Sequence, residues 1–146
     1  MNASDFSVAL RIRHPSIDPE ELTRQLGFAP QHSWKAGDPR RSASGEIARG
    51  VYRETYWVGL LPIMPLPPVN DQQPQTSIFF ALLKMKRAGA FWKRVADEGG
   101  TIECLIEIHS GESFALDLSQ ALLSLLVHLR IALSVEAHSA MRAVAA

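Results

Sequence analysis

Apolar and polar positions alternate from the start of the chain. In "DFSVALRIR", Phe6, Val8, Leu10 and Ile12 fall on one side, while Ser7, Ala9, Arg11 and Arg13 fall on the other. That is the period of a half-buried strand. The next stretch, "SIDPEELTRQLGFAP", predicts a helix over 19–26. Asp18 serves as N-cap, Pro19 takes the first helical position, and Glu21 is placed to close a capping box. Ile17 and Leu22 form a hydrophobic staple, Leu22 and Leu26 share a face, and Gly27 supplies the left-handed stop. The β-branched and aromatic content of "GVYRETYWVGLL" predicts a second strand over 52–60.

Helical spacing takes over from Ser77, with Ile78, Phe79, Leu82, Leu83 and Met85, then Ala88, Phe91, Trp92 and Val95. Gly89 is placed to break or kink this run, giving either one kinked helix or a tight helical pair, and Gly99 and Gly100 end it. "TIECLIEIH" is a third strand with Ile102, Cys104, Ile106 and Ile108 on one face and Glu103, Glu107 and His109 on the other. "DLSQALLSLLVHL" is a further helical region capped by Ser119. "RIALSVEAH" is a fourth strand, aligning Ile131, Leu133, Val135 and Ala137.

These elements predict one α+β domain over 1–146. It comprises a first strand-helix-strand half over 1–60, a proline-rich connector over 61–76, a helical insert over 77–99, a second strand-helix-strand half over 100–138 and a tail over 139–146. The order points to a ferredoxin-like split βαβ sandwich: a four-stranded, mainly antiparallel sheet with helices on one face and the insert between the halves. Strands one and three would be central neighbours. Arg11 or Arg13 would then face Glu103 or Glu107 across strands, on the sheet face turned away from the helices. The connector holds five prolines between 62 and 74 and is expected to be extended.

Composition narrows the class. Hydrophobic residues make up 47% of 146 and charged residues 21%, enough for a sizeable core. Fifteen basic and fifteen acidic residues cancel, which argues against a surface built wholly for nucleic acid or anionic membrane. The lone Cys104 sits in an apolar run and reads as a buried, inert thiol. No signal peptide is expected from "MNASDFSVALRIR", and "ALLSLLVHLRIALSV" is too short to span a bilayer, so a cytoplasmic protein is expected.

"IDPEELTRQLGFAP", then "WKAGD", then "YRETYWVGLL" resemble a bacterial family filed as domain of unknown function 4279. Its features are an N-terminal strand, a D-P-x-x-L-T-x-x-L-G-x-x-P helix, a K-x-G turn and a tryptophan-bearing strand. Here they fall on Asp18, Pro19, Leu22, Thr23, Leu26, Gly27, Pro30, Lys35, Gly37 and Trp57. The motif match covers residues 5–60; beyond it only the element order agrees, and the proline-rich segment looks longer than the family's. The resemblance implies no activity. The placement of some members near toxin genes, as immunity proteins would be, implies a binding role.

The residues themselves offer little chemistry. No C-x-x-C, H-E-x-x-H or His pair at i, i+4 is present, so no metal and no cofactor are expected. Serine-hydrolase elbows and phosphate-binding glycine loops are absent, and "HSGES" reads as a turn, so no catalytic residue is assigned. Glu107 and His109 with the arginines of strand one read as a structural polar network, and His128 as a histidine at the edge of the core. Strands one and three carry no stacking aromatics on the outer face, which counts against RNA. Pro62-x-x-Pro65 and Pro65-x-x-Pro68 have polyproline-ligand spacing but read as cover for the fold.

What remains is the loop 31–50. Lys35, Arg40, Arg41, Arg49 and Arg53 against Asp38 and Glu46 give net +3 within 31–53, in a neutral chain. Candidate binding residues are His32, Trp34, Lys35, Arg40 and Arg41, with Trp34 pinning the loop to the core. The expected function is a non-enzymatic protein-interaction domain; the alternative is a small anionic-ligand-binding domain or enzyme using this basic loop. The expected partners are another protein and a second copy of the chain, since an uncovered sheet face must meet water, the insert or a neighbour.

Overall fold

The structure is a computed structural model that describes residues 5–62, 74–111, 113 and 115–139. The expected proline connector therefore falls, apart from its ends, outside the described residues, as does the tail beyond Ser139. Seven strands and four α-helices follow in order: β1 Asp5–His14, α1 Pro19–Leu26, β2 His32–Trp34, β3 Pro39–Arg41, β4 Ile47–Val51, β5 Thr55–Leu60, α2 Pro74–Leu83, α3 Gly89–Asp97, β6 Thr101–Ser110, α4 Gln120–His128 and β7 Ile131–Ser139. A 3-10 turn, Lys84–Ala88, joins α2 to α3. The insert is thus a helical pair, and Gly89 opens the second helix in ordinary helical geometry (φ −55°).

α1 forms where the local code placed it. The carboxylate of Asp18 accepts the N–H of Glu20 at 3.0 Å, Pro19 opens the helix, and Gly27 closes it at φ 82°. The capping box does not form: the Asp18 carboxylate caps the second helical residue, Glu20, and leaves Glu21 aside. The backbone N–H of Glu21 donates to the carbonyl of Asp18, and the Glu21 carboxylate instead accepts from Arg94 of α3 at 2.9 Å. Tertiary pairing has taken the side chain that the local motif would have used. Ser119 caps α4 as expected, its hydroxyl accepting the N–H of Leu122 at 3.1 Å.

The sheet departs from the expected one. It is five-stranded and mixed, in the order β2-β5-β1-β6-β7, with antiparallel pairing except for parallel β6 and β7. β3 and β4 form a separate two-stranded ribbon. The four-stranded, mainly antiparallel ferredoxin-like order is corrected on this ground. The physical reason is the edge strand β2, three residues inside the supposed loop. β1 and β2 are both antiparallel to β5, hence parallel to each other, so α1 connects β1 to β2 with β5 inserted between them. The chain then turns back, and the strand containing Trp57 lies antiparallel beside β1.

The central pairing of β1 with β6 does hold, and Arg11 lies opposite Glu103 with an ion pair between them. The core lies between the sheet and the helices. Val8, Leu10, Ile12, Trp57, Ile102, Cys104, Ile106 and Ile108 meet Leu22 of α1, Ile78 and Leu82 of α2, Trp92 and Val95 of α3, and Leu122, Leu125 and Leu126 of α4. Among the described residues, helices therefore cover one face only, as the alternation in β1 and β6 required. Gly59 permits the close approach of the segment after α1: a Cβ there would come within 2.8 Å of the Trp57 ring and 3.2 Å of the Ala29 carbonyl oxygen.

Candidate functional site

The segment 31–50, expected as a loop, is built from β2 and the β3–β4 ribbon. Its first turn is fixed by the backbone. The N–H of Asp38 donates to the Lys35 carbonyl at 3.0 Å, the Asp38 carboxylate accepts the N–H of Lys35 at 3.3 Å, and Gly37 adopts φ 92°. Such a φ suits glycine alone among common residues. Thr55, fully buried, ties this turn to the segment leading into α1: its hydroxyl donates to the Ile17 carbonyl at 2.6 Å and accepts the N–H of Ala36 at 3.1 Å.

Trp34 does not enter the core. It lies on the uncovered face of the sheet, stacked between Tyr52 and Tyr56 with ring centroids 4.5 Å away on each side. Arg13 caps the stack, its guanidinium carbon 5.5 Å from the Tyr56 ring centre, and reaches Glu54 at 3.5 Å. The expectation that Trp34 pins the segment to the core is corrected: its anchor is an aromatic ladder on the outer face.

Between ladder and ribbon runs an open cleft of about 940 Å³. Its walls include Trp34, Arg40, Arg41, Tyr52, Arg53 and Glu54. Three of the five candidates from the sequence, Trp34, Arg40 and Arg41, thus come together. His32 and Lys35 do not line the cleft. His32 sits on the edge strand opposite Val58, and Lys35 is exposed and contributes through its backbone. Tyr52, Arg53 and Glu54 were missed because they read as the start of a strand, whereas the chain bends between Val51 and Thr55. Arg41 is partly committed, donating to the Gly45 carbonyl at 3.1 Å.

The rest of the uncovered face is mixed: Ala9, Leu60 and Leu105 lie side by side in register, next to the paired Arg11 and Glu103. Glu103 accepts from Arg11 and holds its guanidinium above the ordinary arginine value, against the opposing effect of burial. Further along β6 and β7, Glu107, His109 and His138 place one ligand atom each within 4.8 Å of one another. No linear motif announces this cluster, since its members come from two strands. His128, expected at the core edge, is exposed on α4. Cys104 is buried in the core, and burial pushes its thiol up to about 12, as an inert cysteine requires.

With this geometry in hand, comparison with known proteins adds the lineage. The sequence model of the family described as Domain of unknown function (DUF4279) matches residues 4–140. The chain belongs to the DUF4279 family. No curated protein and no solved structure matches the chain. In this chain the DUF4279 motif residues hold the scaffold: Thr23 accepts from the Trp57 indole, Gly27 and Gly37 occupy left-handed positions, and Lys35 closes a turn through its backbone. Among the described residues, no helix of this family member is long and apolar enough to cross a membrane.

Proposed function

We propose that this DUF4279 protein is a non-enzymatic binding domain that grips an acidic segment of a protein partner in the cleft between the aromatic ladder and the β3–β4 ribbon. The observation that carries this reading is the convergence of Arg40, Arg41 and Arg53 with Trp34 and Tyr52 on one open cleft. Guanidinium groups bind carboxylates in a bidentate fork, and aromatic walls add contact area with little loss of side-chain entropy. Glu54, the carboxylate among the described lining residues, is drawn off by Arg13 at 3.5 Å. A groove open along its length suits an extended peptide better than a small enclosed anion. Cytoplasmic residence and a homodimer, both expected from the sequence, stay part of the proposal, and light scattering tests the second.

The test is a titration of the full chain with a fluorescent polyglutamate peptide, read by anisotropy. Salt-sensitive binding that drops at least tenfold in Arg40→Glu/Arg53→Glu supports the reading. Binding unchanged in that variant, or none in the wild type at low salt, overturns it.

A further inference from the structure

The two parallel strands β6 and β7 carry the same tripeptide pattern in register. Glu107-Ile108-His109 lies beside Glu136-Ala137-His138, so that Glu107 pairs with Glu136 and His109 with His138. All four side chains stand on the sheet face that the helices leave uncovered. The two imidazole rings stack with centroids 4.7 Å apart and planes 14° from parallel. Each histidine also faces its own strand's carboxylate, His109 Nε2 at 3.9 Å from Glu107 and His138 Nε2 at 3.6 Å from Glu136.

Placing like beside like is unfavourable on a bare sheet. Two carboxylates directly opposed repel, and two imidazoles in a parallel stack repel as soon as both are protonated. Alternating Glu and His across the strands would have given the attractive pairing, and the register gives the opposite one. A divalent cation resolves the conflict, because Glu107 and both imidazoles become ligands of one centre and Glu136 lies beside its positive charge.

We propose that Glu107, His109 and His138, with Glu136 beside them, form a surface site for a borderline-soft divalent cation such as zinc. Nitrogen and carboxylate oxygen donors select this class of ion over calcium or magnesium, which take oxygen alone. Tetrahedral coordination at about 2.0–2.2 Å places donors roughly 3.4 Å apart. The ligand atoms of the three residues already lie within 4.8 Å of one another, and the remaining gap closes by rotation of exposed side chains. The two strands, joined by a continuous parallel ladder from Ile102 to Ser110, hold the backbone positions fixed. The site is independent of the arginine cleft.

Isothermal titration of the full chain, carrying no tag histidines, with zinc chloride tests the site. One zinc per chain in the micromolar range is expected, with cobalt giving visible bands of tetrahedral coordination. His109→Ala and His138→Ala each weaken binding at least tenfold, while His32→Ala and His128→Ala leave it unchanged. The substituted side chains are exposed, so circular dichroism of the variants should match the wild type. No saturable binding by wild type, retention of binding in His109→Ala/His138→Ala, or a stoichiometry of one zinc per two chains would overturn the proposal.

Discussion

The indole N–H of Trp57 donates to the hydroxyl of Thr23 at 2.9 Å, joining the buried face of β5 to α1. The ring of Trp57 is fully buried, so this donor has little access to water if its partner is removed. Thr23→Val keeps the shape and deletes the acceptor. It should cost about 1–3 kcal/mol, the price of a buried unsatisfied donor. In the Trp57→Phe background the same substitution should cost much less, and urea denaturation of the four proteins decides it.

His14 is the second tie, and it is a buried histidine that β1 did not advertise. Its Nδ1 accepts the backbone N–H groups of Ser16 and Ile17 at 3.0 and 2.9 Å, so Nε2 carries the proton and donates to Glu98 at 2.9 Å. His14→Leu strands two backbone donors and should destabilise by about 3 kcal/mol. His14→Asn, whose carbonyl can replace Nδ1, should recover about 1 kcal/mol or more of that loss. Equal losses in thermal unfolding would show that the imidazole nitrogen is not the element at work.

Cys104 makes stability depend on alkaline pH. Its native thiol, pushed up to about 12 by burial, keeps its proton where an unfolded thiol, ionising near 8.5, has lost it. The folded state then binds more protons, so stability is full below about pH 8.5 and falls as pH rises toward the native value. Between about pH 8 and pH 10 the wild type should lose roughly 2 kcal/mol more than Cys104→Val, following ~1.4 kcal/mol per pH unit. Parallel denaturation curves at the two pH values would contradict this.

Arg11 and Glu103 pair across β1 and β6 with about 30% of each side chain exposed (29% and 32%), which keeps their contribution modest. A double-mutant cycle with Arg11→Met and Glu103→Gln should give a coupling of about 0.5–1 kcal/mol that shrinks in high salt. A coupling indistinguishable from zero at low salt would remove the pair from the account of the fold.

Trp34 joins Tyr52, at the end of the ribbon, to Tyr56 of β5 through two stacked contacts, each worth about 0.5–1.5 kcal/mol beyond area. Trp34→Ala should therefore loosen the segment 31–53 while leaving the core intact. Hydrogen exchange is expected to speed up in β3 and β4 and to stay slow in β1 and β6. Uniform acceleration through the sheet would instead place Trp34 in the global core.

The local code was legible wherever neighbours in sequence decide the outcome. Asp18, Pro19 and Gly27 bound α1, Ser119 caps α4, and the alternating residues of β1 and β6 select their buried face, all through interactions within a few residues. β2 and β3 were not legible, because "HSW" and "PRR" are too short to show a period, and each is held by a partner strand, β5 for the first and the nearby β4 for the second. Missing β2 also reversed the inferred direction of the following strand, and with it the sheet order. The arginine cleft was half visible: Trp34, Arg40 and Arg41 stood out as a basic, aromatic stretch, while Tyr52 and Arg53 were hidden in an apparent strand.

What the sequence determined by itself was which segments bury an apolar face and where the helices start and stop, since both follow from periodicity and capping. Tertiary structure alone decided which strands are neighbours and in what register, because pairing depends on chain direction and on contacts distant in sequence. That register sets Glu107 and His109 beside Glu136 and His138, and it stacks Trp34 between two tyrosines. The proposed cleft and cation site both rest on those juxtapositions.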